Sequence, residues 1–183
     1  PYIMANLNSS PALFVMLTAD VSVAQKGKTF EGIVIYDITY PESNFDENTM
    51  AMLPSTMTTR ILGKMKMIEI LSGMSNQKEI TNAENKSRVA LIDVMGQKFA
   101  IKSTKEEIDK ENAESPEPVV EYLDETKEIA GFSCKKAIIR YADDKGKEQS
   151  VEAFYTEDIN VEGIIFEGEY RNLKGFPLEY TVN

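Results

Sequence analysis

Few side chains in this sequence could do chemistry, and histidine is not among them: none of the 183 residues is His. Its absence removes the commonest general base and the commonest imidazole metal ligand. A Ser-His-Asp triad, a Cys-His dyad and the usual His-containing zinc sites go with it. The single cysteine, Cys134, lies in Gly131-Phe132-Ser133-Cys134-Lys135-Lys136. Neighbouring lysines can lower a thiol's pKa and make it a nucleophile. Successive residues of a strand point to opposite faces, however, so Lys135 need not reach the sulfur. A small, buried core residue is therefore the favoured reading of Cys134.

Adjacent carboxylates occur at Asp143-Asp144 and at Glu157-Asp158. Glycoside hydrolysis needs two acids facing each other across a cleft, which neighbours in a turn do not supply. No Trp is available to stack on a sugar ring. The acidic stretch from Thr104 through Glu128 lacks the Asp/Asn/Gly spacing of a calcium loop, and a like-charge run of this kind is a solvated face. No catalytic residue, metal site or cofactor is assigned, and the chain is expected not to be an enzyme.

Methionine is the more suggestive residue. Met50, Met52, Met57, Met65, Met67, Met74 and Met95 cluster in the middle of the chain. A flexible thioether wall suits a pocket that adapts to lipids or other apolar ligands. The same residues could instead fill the concavity of a curved sheet. Both readings place them on one apolar face, with Met50, Met52, Met57, Met65, Met67 and Met95 as the expected lining.

The composition bounds the partners. Hydrophobic residues make up 42% and charged residues 27%, as in an ordinary globular domain, and the formal net charge is −10. So acidic a chain is not expected to bind nucleic acid, which requires a cationic face, or an anionic membrane surface. Residues 8–25, NSSPALFVMLTADVSVAQ, resemble the apolar region and small-residue cleavage site of a secretory signal, with cleavage after Ala24. The apolar run is too short to span a membrane. Residues 1–24 are thus expected to be signal-derived or a short N-terminal helix, and residues 25–183 a single domain.

From Phe30 onward, apolar residues alternate with period two, which argues antiparallel strands. Gly32 to Tyr40 is the first strand, and 42–53 has the spacing of a short helix ended by Pro54. Ser55 to Leu71 reads as two strands joined at Gly63-Lys64. Further strands are expected at 77–82, 88–94 and 97–102. Thr104 to Glu107 forms a capping-box pattern opening a short helix anchored by Ile108. A polar linker, 112–118, precedes strands at 128–141, 150–155 and 178–182, with a short segment at 163–169. The connections are too short for parallel crossovers, so the expected fold is mainly β (α+β): a meander with a few short helices.

Several stretches resemble an uncharacterised secreted family of Bacteroidetes-type bacteria, domain of unknown function 4412. They are Phe30-Glu31-Gly32, Met52-Leu53-Pro54-Ser55-Thr56-Met57, Leu91-Ile92-Asp93-Val94-Met95-Gly96-Gln97-Lys98, residues 126–137 around Ile129-Ala130-Gly131-Phe132-Ser133-Cys134, Phe154-Tyr155-Thr156-Glu157-Asp158-Ile159 and Leu173-Lys174-Gly175-Phe176-Pro177-Leu178. The resemblance implies a curved antiparallel sheet, an open half-barrel similar to the LolA/LolB lipoprotein carriers, with short helices on its concave side. It also implies a periplasmic or envelope location in a Gram-negative bacterium, and a further closing strand after Asn183. The expected function is non-enzymatic binding of a lipid or other hydrophobic ligand. The alternative is an envelope protein-protein interaction or scaffold module with no small-molecule ligand.

Overall fold

The computed structural model describes residues 13–17, 30–40, 45–143, 146–161 and 163–182. Eleven strands and two helices follow one another along it. They are β1 (Leu13–Leu17), β2 (Gly32–Thr39), α1 (Glu47–Met52), β3 (Thr56–Leu62), β4 (Met65–Leu71), β5 (Ser75–Asn82), β6 (Ser87–Val94) and β7 (Gln97–Ser103). Then come α2 (Lys105–Glu114), β8 (Val119–Ile129), β9 (Phe132–Ala142), β10 (Glu148–Thr156) and β11 (Phe176–Val182).

All strands pair antiparallel in one sheet, in the order β7-β6-β5-β4-β3-β2-β1-β11-β10-β9-β8. The mainly β, antiparallel fold expected from the sequence is therefore present. Two meanders, β2 to β7 and β8 to β11, are joined through β1, which bonds β2 on one side and β11 on the other. Among the described residues β7 and β8 each have one strand neighbour, so the sheet is open. Residues 1–24, expected to be signal-derived or helical, are described only over Leu13–Leu17, where the chain is strand β1. The remainder of that segment lies outside the described residues.

Turn chemistry sets the register of the meanders. Met95-Gly96 and Ala130-Gly131 each place two residues at positive φ, at 51° and 83° and at 51° and 81°. Two-residue turns of this hand match the right-handed twist of the strands they join. The Ala130-Gly131 turn splits what reads in the sequence as one strand over 128–141 into β8 and β9. Helix α1 is capped by Asp46, whose carboxylate accepts from the Thr49 N–H at 2.9 Å. Helix α2 has the expected capping box between Thr104 and Glu107, and its Ile108 is buried.

The main core joins both meanders. Phe30, Val34, Tyr36 and Ile61 pack with Ile129, Cys134, Ile159, Ile164, Phe176 and Leu178. Tyr36 donates a hydrogen bond to the Pro177 carbonyl at 2.8 Å, and its ring lies 5.9 Å from that of Tyr180. Burying two apolar surfaces against each other in this way is the dominant stabilising term.

Candidate functional site

Register places the side chains of β2 to β7 in rows, because residues directly opposite in an antiparallel pair share a face. One row runs Tyr36, Met57, Ile70, Gln77, Ile92, Phe99, and the next Val34, Thr59, Ile68, Glu79, Ala90, Ile101. A third runs Gly32, Ile61, Lys66, Thr81, Arg88, Ser103. Tyr36, Val34, Thr59 and Ile61 bury the β2–β3 side of this face. Burial then fades towards the β7 edge. Ile68, Ile70, Ala90 and Ile92 are half-buried, while Phe99 is 52% exposed. The result is a mainly apolar strip, crossed at β5 by Gln77 and Glu79, covered at one side and open at the other.

The third row is polar and capped by charge. The Arg88 guanidinium donates to Glu167 at 2.7 Å, to Glu111 of α2 at 2.9 Å and to the Ser103 hydroxyl at 3.2 Å. Asn112 of α2 donates to the Phe166 carbonyl at 3.2 Å, tying the helix to the segment between β10 and β11. Burial pushes the Glu167 carboxyl above its usual range, opposed by the Arg88 charge. Its second oxygen, Oε1, is buried with no hydrogen-bond partner among the described residues. Glu169 is raised too, chiefly by burial, and Glu79 adds like charge to both acids. Tyr170 packs on Tyr180 at 5.7 Å beside them, and burial lifts both phenols well above their ordinary value.

The methionines do not share one face. Met57 lies in the first row, where its sulfur accepts from the Tyr180 hydroxyl at 3.7 Å. Met65 and Met67 project from the opposite face, in rows with Leu62 and Arg60. That outer face carries an ion network in which Glu69 is bridged by Arg60 at 3.1 Å and Lys78 at 2.8 Å. Met50, Met52 and Met95 gather with Met74 at one end of the sheet. There Gly73 N–H bonds the Met52 carbonyl and Met95 N–H bonds the Met74 carbonyl. All four are exposed, Met95 by 80%. Spacing in the sequence groups these residues; strand alternation and the turns separate them.

The other candidates have structural surroundings. Cys134 is fully buried in the main core, and burial, with Glu179 nearby, pushes its thiol up to about 11. Asp143 accepts from the Lys147 N–H and the Gln149 side chain, closing the β9–β10 turn; Asp144 lies outside the described residues. Glu157 pairs with Lys135 on the surface. A recess of about 340 Å3 opens beside Arg140 and residues 147–150, but its lining is polar. Among the described residues no group of three or more acidic or cysteine side chains is placed to hold a metal ion. No helix among them is long and apolar enough to cross a membrane.

Sequence reasoning passed over Arg88, Glu167 and Glu169. A signal exists for the two acids: they follow the apolar run Ile164-Ile165-Phe166 at alternate positions, on either side of Gly168. Arg88 is the second residue of β6 and carries no such mark. Comparison with family models, with curated proteins and with solved structures finds no significant match to this chain.

Proposed function

We propose that the chain is a non-enzymatic envelope protein that binds an apolar or lipid-like ligand along the strip formed by Met57, Ile68, Ile70, Ile92, Phe99 and Ile101. One observation carries this reading: apart from Gln77 and Glu79 the strip is apolar, and it is half-open, while the adjoining part of the same face is sealed by the Arg88 cluster. Ligand sites for apolar molecules combine such a wall with a few fixed polar groups. An open antiparallel sheet also suits a carrier similar to LolA, in which the strip would line the concave side of a half-barrel. A periplasmic location belongs to the same proposal and rests on the resemblance of the sequence to secreted proteins.

The test is native mass spectrometry of the protein as purified, with titration of a fluorescent fatty acid. Saturable uptake lost in Ile92→Asp and Phe99→Asp but kept in Met67→Asp, on the opposite face, is the expected result. Absence of uptake, or loss in Met67→Asp alone, overturns it.

A second reading is favoured by a different observation, the exposed Met50, Met52, Leu71, Met74, Val94 and Met95 at one end of the sheet. Exposed apolar patches on soluble proteins mark interaction surfaces. There the chain is an envelope interaction module, and a protein captured through this end would be released by Met74→Asp and Met95→Asp.

A further inference from the structure

The two edges of the open sheet carry opposite charge. Along β7 the charged residues are Lys98 and Lys102; along β8 they are Glu121, Asp124, Glu125, Lys127 and Glu128. The one base on β8, Lys127, is held by Glu179 at 2.6 Å. Glu121 and Glu125 pair with Arg140 and Lys136 of β9, and Lys98 pairs more loosely with Asp93 at 3.6 Å. Both edges face outward: Gln97 to Lys102 are all exposed, as are Glu121, Asp124, Glu125 and Glu128.

The turns fix which backbone groups are free. In a two-residue hairpin the residues flanking the turn exchange hydrogen bonds, and pairing then alternates along the ladder. Val94 and Gln97 flank Met95-Gly96, so Phe99, Ile101 and Ser103 bond to β6. The peptide groups of Lys98, Ala100 and Lys102 therefore point away from the sheet. Ile129 and Phe132 flank Ala130-Gly131, so those of Thr126 and Glu128 point away on the other edge. Each edge is a template for another strand.

We infer that the β7 edge of one copy receives the β8 edge of another, giving a head-to-tail assembly of continuous sheet. Charge selects this pairing over the two symmetric ones. A β7–β7 contact sets Lys98 and Lys102 against their own kind, and a β8–β8 contact sets Asp124 and Glu128 against theirs. Like charges directly opposite destabilise a strand pair, and opposite charges stabilise it. A contact between two different surfaces does not close on itself after one step, so the assembly grows by addition. The register break of β8 between Tyr122 and Thr126 divides its edge, and the segment that docks is 124–129, with Asp124 and Glu128.

The test is sedimentation velocity of the full chain over a hundredfold concentration range. The wild type is expected to form a ladder of species that grows with concentration and recedes at high salt. Lys98→Glu with Lys102→Glu makes both edges acidic, and Asp124→Lys with Glu128→Lys makes both basic. Each double variant alone is expected to be monomeric, with far-UV circular dichroism and thermal melts matching the wild type. Their mixture is expected to restore the ladder, because the acidic edges of one variant meet the basic edges of the other on both sides. A wild type that stays monomeric, a closed symmetric dimer, or a mixture that does not associate overturns the inference.

Discussion

Arg88 and Glu167 meet at 2.7 Å although 79 residues separate them, and this ion pair fastens the segment before β11 onto strand β6. Both side chains are nearly enclosed, and Glu111 of α2 shares the guanidinium at 2.9 Å. Removing one partner strands the other charge in a poorly solvated place, which costs about 3 kcal/mol. Arg88→Met should lower unfolding stability in urea by about that amount. Arg88→Met combined with Glu167→Met should recover most of the loss, since no buried charge is left unpaired. Equal losses in the single and double variants would show that the pair contributes packing alone.

Glu169 gives the fold a pH dependence of predictable sign. Burial raises its carboxyl pKa in the folded state, so between the ordinary glutamate value and the raised one the folded chain holds more protons than the unfolded chain. Stability from this group consequently falls as pH rises through that window and is constant on either side. Glu167 acts in the same direction, with Arg88 offsetting part of the effect. Glu169→Gln should therefore melt above the wild type at about pH 8 and level with it at about pH 4. The difference between the two melting curves isolates Glu169 from the acids Asp46, Glu69 and Asp109, whose pKa values are lowered and whose contributions fade on acidification.

Gly175 allows the chain to enter β11 against β10. A methyl group there would lie 2.5 Å from the Thr156 carbonyl oxygen and 2.8 Å from the Tyr155 ring, closer than any Cβ sits. Backbone cannot rotate out of the way as a side-chain tip can, so Gly175→Ala should cost about 1–3 kcal/mol, measured by chemical denaturation. Gly63→Ala makes the informative comparison. Its added carbon would meet nothing within 4 Å, and only its φ of 58° penalises the side chain, by about 1 kcal/mol.

Cys134 should be inert in the native state. It is fully buried and its thiol is raised to about 11, so the reactive thiolate is scarce at neutral pH. Labelling by a thiol reagent should follow the global unfolding rate and rise in parallel with it in denaturant. A fast, denaturant-independent reaction would place Cys134 in a locally opening region instead.

Much of the fold is legible in the residues because two signals agree there. Over β2 to β7 the alternation of apolar and polar side chains and the Gly-bearing turns point to the same hairpins, and α2 announces itself through Thr104 and Glu107. β8 is hidden for a physical reason. An edge strand is solvated along its length, and Glu121, Asp124, Glu125 and Glu128 erase the alternation that marks a half-buried strand. Ala130 conceals the turn beside it, since a non-glycine residue at a φ of 51° carries no turn signature. At the candidate site, the apolar character of Ile68, Ile70, Ile92 and Phe99 is visible in the sequence. The division of Met57 from Met65 and Met67 follows from alternation, and the Arg88–Glu167 meeting from long-range packing that no local pattern encodes.

The position of β1 also bears on how the chain reaches this state. Its residues pair with β11, Leu13 opposite Val182, so the central ladder of the sheet joins strands from the two extremes of the described chain. The pairings of β1 to β7 need only neighbours in the chain and can zip early, whereas the other side of β1 must wait for β11, at the far end of the described sequence. Late closure of a distant pairing slows folding and leaves unpaired strand surface exposed in the meantime. In a ribosome-bound nascent chain, the first meander would already be protected from exchange while the seam between the two halves still awaited its last strand.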